Sequence, residues 1–151
     1  MNQATTPTTT APAISQRLHA PFQASANVRT RIKICGLTRE EDVDAAVAAG
    51  ADAVGFVLYA PSPRSVTPQR AAQLARRLPP FVTPVLLFVN ESTPNVIAAS
   101  AMIAGATMQF HGDETPQDCM AATHQGARPY LRAARIPVSY THLTLPTTPY
   151  V

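Results

Sequence analysis

At 151 residues, 46% of them hydrophobic and 14% charged, the chain has the length of a single domain with enough apolar side chains for a buried core. Its net charge of +3 is dispersed: Arg76 and Arg77 are the only adjacent arginines, and no basic stripe with interleaved aromatics exists, so nucleic-acid binding is not expected. Two cysteines, Cys35 and Cys119, without CxxC or metal-type spacing, point to reduced thiols in a cytoplasmic protein rather than to a disulfide framework or a metal site. No run approaches the roughly 20 apolar residues of a membrane span.

Residues 1–27 read MNQATTPTTTAPAISQRLHAPFQASAN. Thr, Ala, Pro and Gln dominate, and no helical or strand period persists. Such a segment buries too little apolar surface to offset its ordering entropy, so a disordered tail is expected. It holds no acidic residue and no apolar core of a secretory signal, although an organelle transit peptide shares this composition.

The structured part is expected over residues 28–137, and its elements alternate. RIKI (31–34) reads as a short strand stopping at Cys35 and Gly36. In TREEDVDAAVAAG, Thr38 is predicted to cap a helix, with Glu41 completing a capping box. Val43, Ala46 and Val47 share one face, and Gly50 supplies a left-handed stop. AVGFV (53–57) is the second strand. Thr67-Pro68 then opens a helix to about Arg77, with Arg76 and Arg77 facing its C-terminus. TPVLLFV (83–89) is apolar throughout, as a parallel strand covered on both faces requires. Pro94 opens a helix through Ala104, and MQF (108–110) is a fourth, short strand. Thr115-Pro116 opens a helix ending at Gly126, and PYLRA (129–133) is the fifth strand.

Regular βα repetition means an α/β fold, a parallel sheet with helical crossovers. Two arrangements fit: an open doubly wound sheet, or part of a (β/α)8 barrel. Periodicity alone does not separate them, and the absence of GxGxxG counts against a Rossmann nucleotide site. The remaining segment, 138–151, is VSYTHLTLPTTPYV. It is uncharged and lacks the helix that the pattern demands next. Val138 to Thr148 resembles one reading frame through a transposon adapter used in sequencing libraries, so the segment is expected to be non-native and is set aside.

In parallel α/β folds the sites gather at the carboxyl ends of the strands. Cys35 and Gly36 follow the first strand, YAPSPRSV with Arg64 the second, NES the third, and HGDE with His111, Asp113 and Glu114 the fourth. A cysteine is more often a small hydrophobe than a catalyst, but at a strand end loop amides or cations would stabilise its thiolate. Arg64, bracketed by Pro61 and Pro63, sits on a stiffened loop and suits a bidentate grip on a carboxylate. His111 fits either a substrate contact with proton transfer or a structural tie of its loop. Asp113 and Glu114 are read as acids complementing the next helix N-terminus, and Cys119 as packing.

Together, KICGLT, DAVGFVLYAPSPRSV, PPFVTPVLLFVN and MQFHGDE closely resemble the phosphoribosylanthranilate isomerase family of tryptophan biosynthesis, over about Arg31 to Ile136. The resemblance implies a (β/α)8 barrel truncated after about the fifth strand. It also implies an Amadori rearrangement of N-(5-phosphoribosyl)anthranilate to 1-(2-carboxyphenylamino)-1-deoxyribulose 5-phosphate, without metal or organic cofactor. Cys35 matches the family's general base, Arg64 its grip on the anthranilate carboxylate, and His111 a pocket-lining residue. The implied parent is a monomer or homodimer whose partner is its small-molecule substrate, neither nucleic acid nor membrane.

One departure is visible in the sequence. The family's general acid is an aspartate after a later strand, but Asp118 is the last carboxylate of this chain. The expectation is therefore a weakly stable half barrel with an open edge and little activity of its own. Two other readings are a non-catalytic small-molecule-binding α/β module and a different isomerase or lyase sharing only the barrel.

Overall fold

The computed structural model describes residues 29–134; the expectations for residues 1–27 and 138–151 fall outside these. Five strands, β1 (Lys33–Cys35), β2 (Ala53–Val57), β3 (Thr83–Phe88), β4 (Thr107–Phe110) and β5 (Tyr130–Arg132), alternate with four helices. These are α1 (Glu40–Ala48), α2 (Pro68–Ala75), α3 (Thr93–Ala101) and α4 (Pro116–Ala122). Every adjacent strand pair is parallel, and the spatial order is β1-β2-β3-β4-β5. A doubly wound sheet reverses its strand order at a switch point, whereas a (β/α)8 barrel adds each strand beside the last. The sequential order therefore decides between the two arrangements left open by periodicity.

All four helices pack on one face of the sheet. Val54, Phe56, Leu86, Phe88, Met108 and Phe110 form a continuous core with Val43 and Ala46 of α1, Ala71 and Leu74 of α2, Val96 and Ala99 of α3, and Cys119 and Ala122 of α4. Phe110 lies between Phe88 (ring centroids 6.4 Å apart) and Tyr130 (5.9 Å, edge to face). By strand alternation the other face carries Lys33, Cys35, Gly55, Val57, Val85, Leu87, Gln109 and Leu131. The sheet is not closed: among the described residues β1 and β5 each pair with one strand. Ile34 on β1 and Leu131 on β5 are exposed.

Several helix boundaries differ from the sequence expectation. α1 is not capped by Thr38 through a capping box with Glu41. Its N-cap is Arg39, which makes no side-chain cap bond. The charges there are committed elsewhere. Arg39 forks onto Asp42 (both 2.8 Å), while Arg70 reaches across from α2 to Glu40 Oε2 (2.7 Å) and the Thr38 carbonyl (3.1 Å). Arg77 does not serve the end of its own helix but pairs with Asp44 of α1. The starts of α2 and α4 agree: Thr67 accepts from Arg70 N, and Thr115 forms a reciprocal capping box with Asp118. α4 stops at Ala122 rather than Gly126, because His124, Gln125 and Gly126 all adopt left-handed backbone. α3 likewise stops at Ala101, short of Ala104.

Candidate functional site

The sequence places its reactive groups on the rim formed by the carboxyl ends of the strands, and local structure explains how. Cys35 is the last residue of β1, directly opposite Gly55 of β2. A Cβ built on Gly55 would lie 2.6 Å from Cys35 Sγ, so the thiol rests across a bare glycine on the face away from the helices. The chain then turns at Gly36, whose φ of +84° is a left-handed conformation natural to glycine. The Gly36 and Leu37 amides both donate to the Gly55 carbonyl, at 2.8 and 3.3 Å, fixing the turn onto β2.

Arg64 arrives from the loop between β2 and α2. That loop is folded by short bonds: Ser62 N donates to Tyr59 O, Ser65 N to Ser62 O, and Arg64 N to Ser62 Oγ. The Arg64 side chain lies over Gly36, where any Cβ would meet its Nη1 at 2.8 Å and its Cδ at 2.9 Å. From there Nη1 donates to the Cys35 carbonyl at 3.0 Å. That is the guanidinium's one hydrogen bond among the described residues, and the side chain is exposed. The thiol and the guanidinium are thus held against the same two-residue segment.

His111 follows the last residue of β4 and is exposed; its amide donates to Phe88 O at 3.0 Å. It stands on the same rim as Cys35, three strand spacings or roughly 14 Å along the sheet, and hydrogen-bonds to neither Cys35 nor Arg64. Glu114 departs from its expected role. It does not serve the N-terminus of α4, which Thr115 caps with Asp118 as its reciprocal partner. It is buried, and its carboxylate accepts from Asn90 N (2.7 Å) and Gly112 N (2.9 Å) and pairs with Arg132 (3.4 Å). Asp113 stays exposed, and its amide donates to Asn90 Oδ1 at 2.7 Å. Cys119 is fully buried in α4, and burial pushes its thiol above the ordinary cysteine range, as a packing residue requires.

A cavity of about 460 Å³ opens elsewhere, near α2 and α3, lined by Val66, Thr67, Phe88, Asn95 and neighbours. It contains neither Cys35, Arg64 nor His111, and its polar lining residues Ser65, Thr67, Gln69, Glu91 and Asn95 include no thiol, histidine or cation. The rim, with its reactive side chains, is the better candidate. Among the described residues no helix is long and apolar enough to cross a membrane.

Residues 32–140 match the family described as N-(5'phosphoribosyl)anthranilate (PRA) isomerase. The chain belongs to this family. Among curated relatives, the N-(5'-phosphoribosyl)anthranilate isomerase of Methylibium petroleiphilum is 66% identical over 109 residues, 72% of this chain and 49% of that protein. The chain thus spans about half the length of the curated relatives it matches. A solved phosphoribosyl anthranilate isomerase in complex with reduced 1-(o-carboxyphenylamino)-1-deoxyribulose 5-phosphate superposes with a TM-score of 0.65 at 36% identity, covering 69% of this chain and 53% of that one. A Thermotoga maritima structure, described as monomers generated from the dimeric isomerase, gives 0.62 at 33% identity over 69% and 52%. With the PRA isomerase family established, the open five-stranded sheet is of the (β/α)8-barrel class that its solved neighbours adopt.

Sequence reasoning passes over two members of this rim, Gly55 and Arg132, and names Asn90 within NES without a role. Gly55 gives the thiol its space, and only the register with Cys35 reveals it. Asn90 takes left-handed backbone (φ 51°), for which an asparagine immediately after a strand is a readable cue. Arg132, inside the fifth strand, reads as an ordinary edge cation until its pairing with Glu114 is seen.

Proposed function

We propose that the rim belongs to a phosphoribosylanthranilate isomerase acting on N-(5'-phosphoribosyl)anthranilate, with Cys35 as general base and Arg64 as the grip on the anthranilate carboxylate. His111 lines the same pocket. One observation carries this reading. A thiol seated over the bare Gly55 and an exposed guanidinium that spends one N–H on the Cys35 carbonyl are held at the same peptide, Cys35–Gly36.

The chemistry needs such a pair. Protonation of the ribose ring oxygen opens the ring and leaves an iminium at C1. A base then removes the C2 proton, giving an enolamine, which becomes the ketone as C1 takes up a proton and the C2 hydroxyl gives one up. No net oxidation occurs, so proton transfer and positioning suffice, and the reaction calls for neither metal nor organic cofactor. A thiolate serves as base because its pKa lies close enough to neutrality to be tuned by its surroundings. Arg64, a planar donor fork, fixes the anthranilate ring by its carboxylate and so sets C2 against the sulfur. The general acid is not among these residues. We propose that it comes from the half of the barrel that the relatives possess beyond the match, and that the 151-residue chain alone turns over little.

The test uses a completed barrel: this chain continued, past its matched segment, by the remaining half of the Methylibium petroleiphilum relative. Alkylation of Cys35 should abolish turnover, and the reduced product analogue should protect against it. Turnover indifferent to alkylation removes Cys35 as the base, and a completed barrel that binds the analogue without any turnover favours a binding module instead. A normal rate from the 151-residue chain by itself refutes the need for the second half.

A further inference from the structure

Three consecutive amides at the end of β4 are each claimed by a different partner. His111 N–H donates to Phe88 O at 3.0 Å, Gly112 N–H to Glu114 Oε2 at 2.9 Å, and Asp113 N–H to Asn90 Oδ1 at 2.7 Å. The second oxygen of Glu114 accepts from Asn90 N–H at 2.7 Å, so one carboxylate bridges the ends of β3 and β4. Arg132 of β5 closes the group, with Nη1 3.4 Å from both Glu114 Oε2 and Gly112 O. Asn90 can present its amide this way because it sits at φ 51°, and Gly112 must lack a side chain because a Cβ there would collide with the Asn90 amide.

A buried carboxylate is costly unless donors surround it, and this one has three. Such a group stiffens whatever it holds. Here it holds the peptide units on the C-terminal side of His111, while Phe88 O holds the unit before it. The imidazole projects from this fixed backbone into solvent at the rim.

We propose that Glu114 is a positioning residue for His111, acting through Asn90, Gly112 and Arg132 to hold the imidazole where substrate meets the rim. The proposal rests on the pocket-lining role given to His111 above. Glu114→Gln preserves shape but turns an NH2 toward one of the two backbone amides, so it breaks one bond of the bridge without opening a cavity.

In the 151-residue chain, hydrogen exchange followed by mass spectrometry should speed up at least tenfold in Glu114→Gln for peptides spanning 90–92 and 111–114, with β2 unchanged. The His111 imidazole signal, from carbon-labelled histidine, should broaden or shift. Unchanged exchange and an unchanged imidazole overturn the proposal, as does uniform acceleration that includes β2, which marks a purely stabilising role. In the completed barrel, Glu114→Gln should lower kcat tenfold or more at a temperature where the protein stays folded, and His111→Ala should do at least as much. Wild-type kcat in Glu114→Gln, with His111→Ala impaired, overturns the positioning role alone. Wild-type kinetics in His111→Ala, with the local exchange response intact, leaves the lock standing and removes His111 from the pocket.

Discussion

Gly55→Ala is the sharpest perturbation this rim offers. The added methyl would sit 2.6 Å from Cys35 Sγ and 3.2 Å from both Cα and Cβ of Cys35. Favourable non-bonded contacts lie near 3.5–4.0 Å, so something must move by about 1 Å. Backbone separation is resisted by the Gly36 and Leu37 amides on the Gly55 carbonyl, which leaves the thiol as the part that yields. Overpacking of this kind costs about 1–3 kcal/mol, and a displacement near 1 Å at a reacting group costs about 100-fold in rate. The expected result in the completed barrel is a kcat about 100-fold lower, with a loss of stability that leaves the protein folded at 20 °C. In the 151-residue chain, the rate of Cys35 alkylation should change while Cys119, buried and with its thiol pushed up, stays inert in both forms. Wild-type kcat together with a wild-type unfolding midpoint would refute the reasoning, because it would mean that the thiol does not occupy the space above Gly55.

Arg64→Lys keeps the charge but loses the fork, so inhibition by a carboxylate-bearing product analogue should weaken about 10- to 100-fold; equal weakening for an analogue lacking the carboxylate would contradict the assigned grip. Glu40 is held down to about 2, first by its hydrogen bonds from Arg70. Its folded value lies below its unfolded one, so its contribution is complete above about pH 4.5 and fades as pH falls toward 2. The gap in urea midpoint between the wild type and Glu40→Gln should therefore be constant from pH 7 to 5 and narrow below that; a constant gap down to pH 2.5 would contradict it. Phe110→Ala removes a fully enclosed ring between Phe88 and Tyr130 and should cost about 3–5 kcal/mol by urea denaturation. Thr115→Ala breaks the capping box of α4 and should cost about 0.5–2 kcal/mol, read the same way.

The fold was readable where local signals and tertiary demand agree. TPVLLF is apolar on both faces because β3 is covered on both, and Thr67-Pro68 and Thr115-Pro116 open helices as their chemistry dictates. Thr38 failed as a cap because α1 starts one residue later, with Arg39 at its N-cap, and its acids Glu40 and Asp44 pair with Arg70 and Arg77, partners some 30 residues away that no local motif encodes. The rim was legible as a set of residues following strands, since Cys35, Arg64 and His111 all occupy that rim. Its support was not. Glu114 reads as a helix-terminal acid in sequence, and only the approach of three strand ends turns it inward.

The distribution of carboxylates on the rim supports the proposal that this half of the barrel supplies a base and an anion grip but no acid. Glu91 is held below the usual carboxylate range by Asn95 and the Ser92 amide, which makes it a poor proton donor near neutrality. Glu114 is fully engaged by Asn90, Gly112 and Arg132. Asp113 has an exposed carboxylate with no hydrogen-bonding partner among the described residues to orient it. Ring opening needs a donor fixed against the ribose oxygen, and Glu91 is held ionised, Glu114 is occupied by its partners and Asp113 is not held in place. The division of labour we propose follows: the first five strands hold the aromatic carboxylate and remove the C2 proton, and the further strands deliver the acid. Supplying the second half of the Methylibium petroleiphilum relative as a separate polypeptide should then restore turnover to this chain, and should fail to do so once Cys35 is alkylated. Restoration that survives alkylation would place the base in the second half as well, and the division would be wrong.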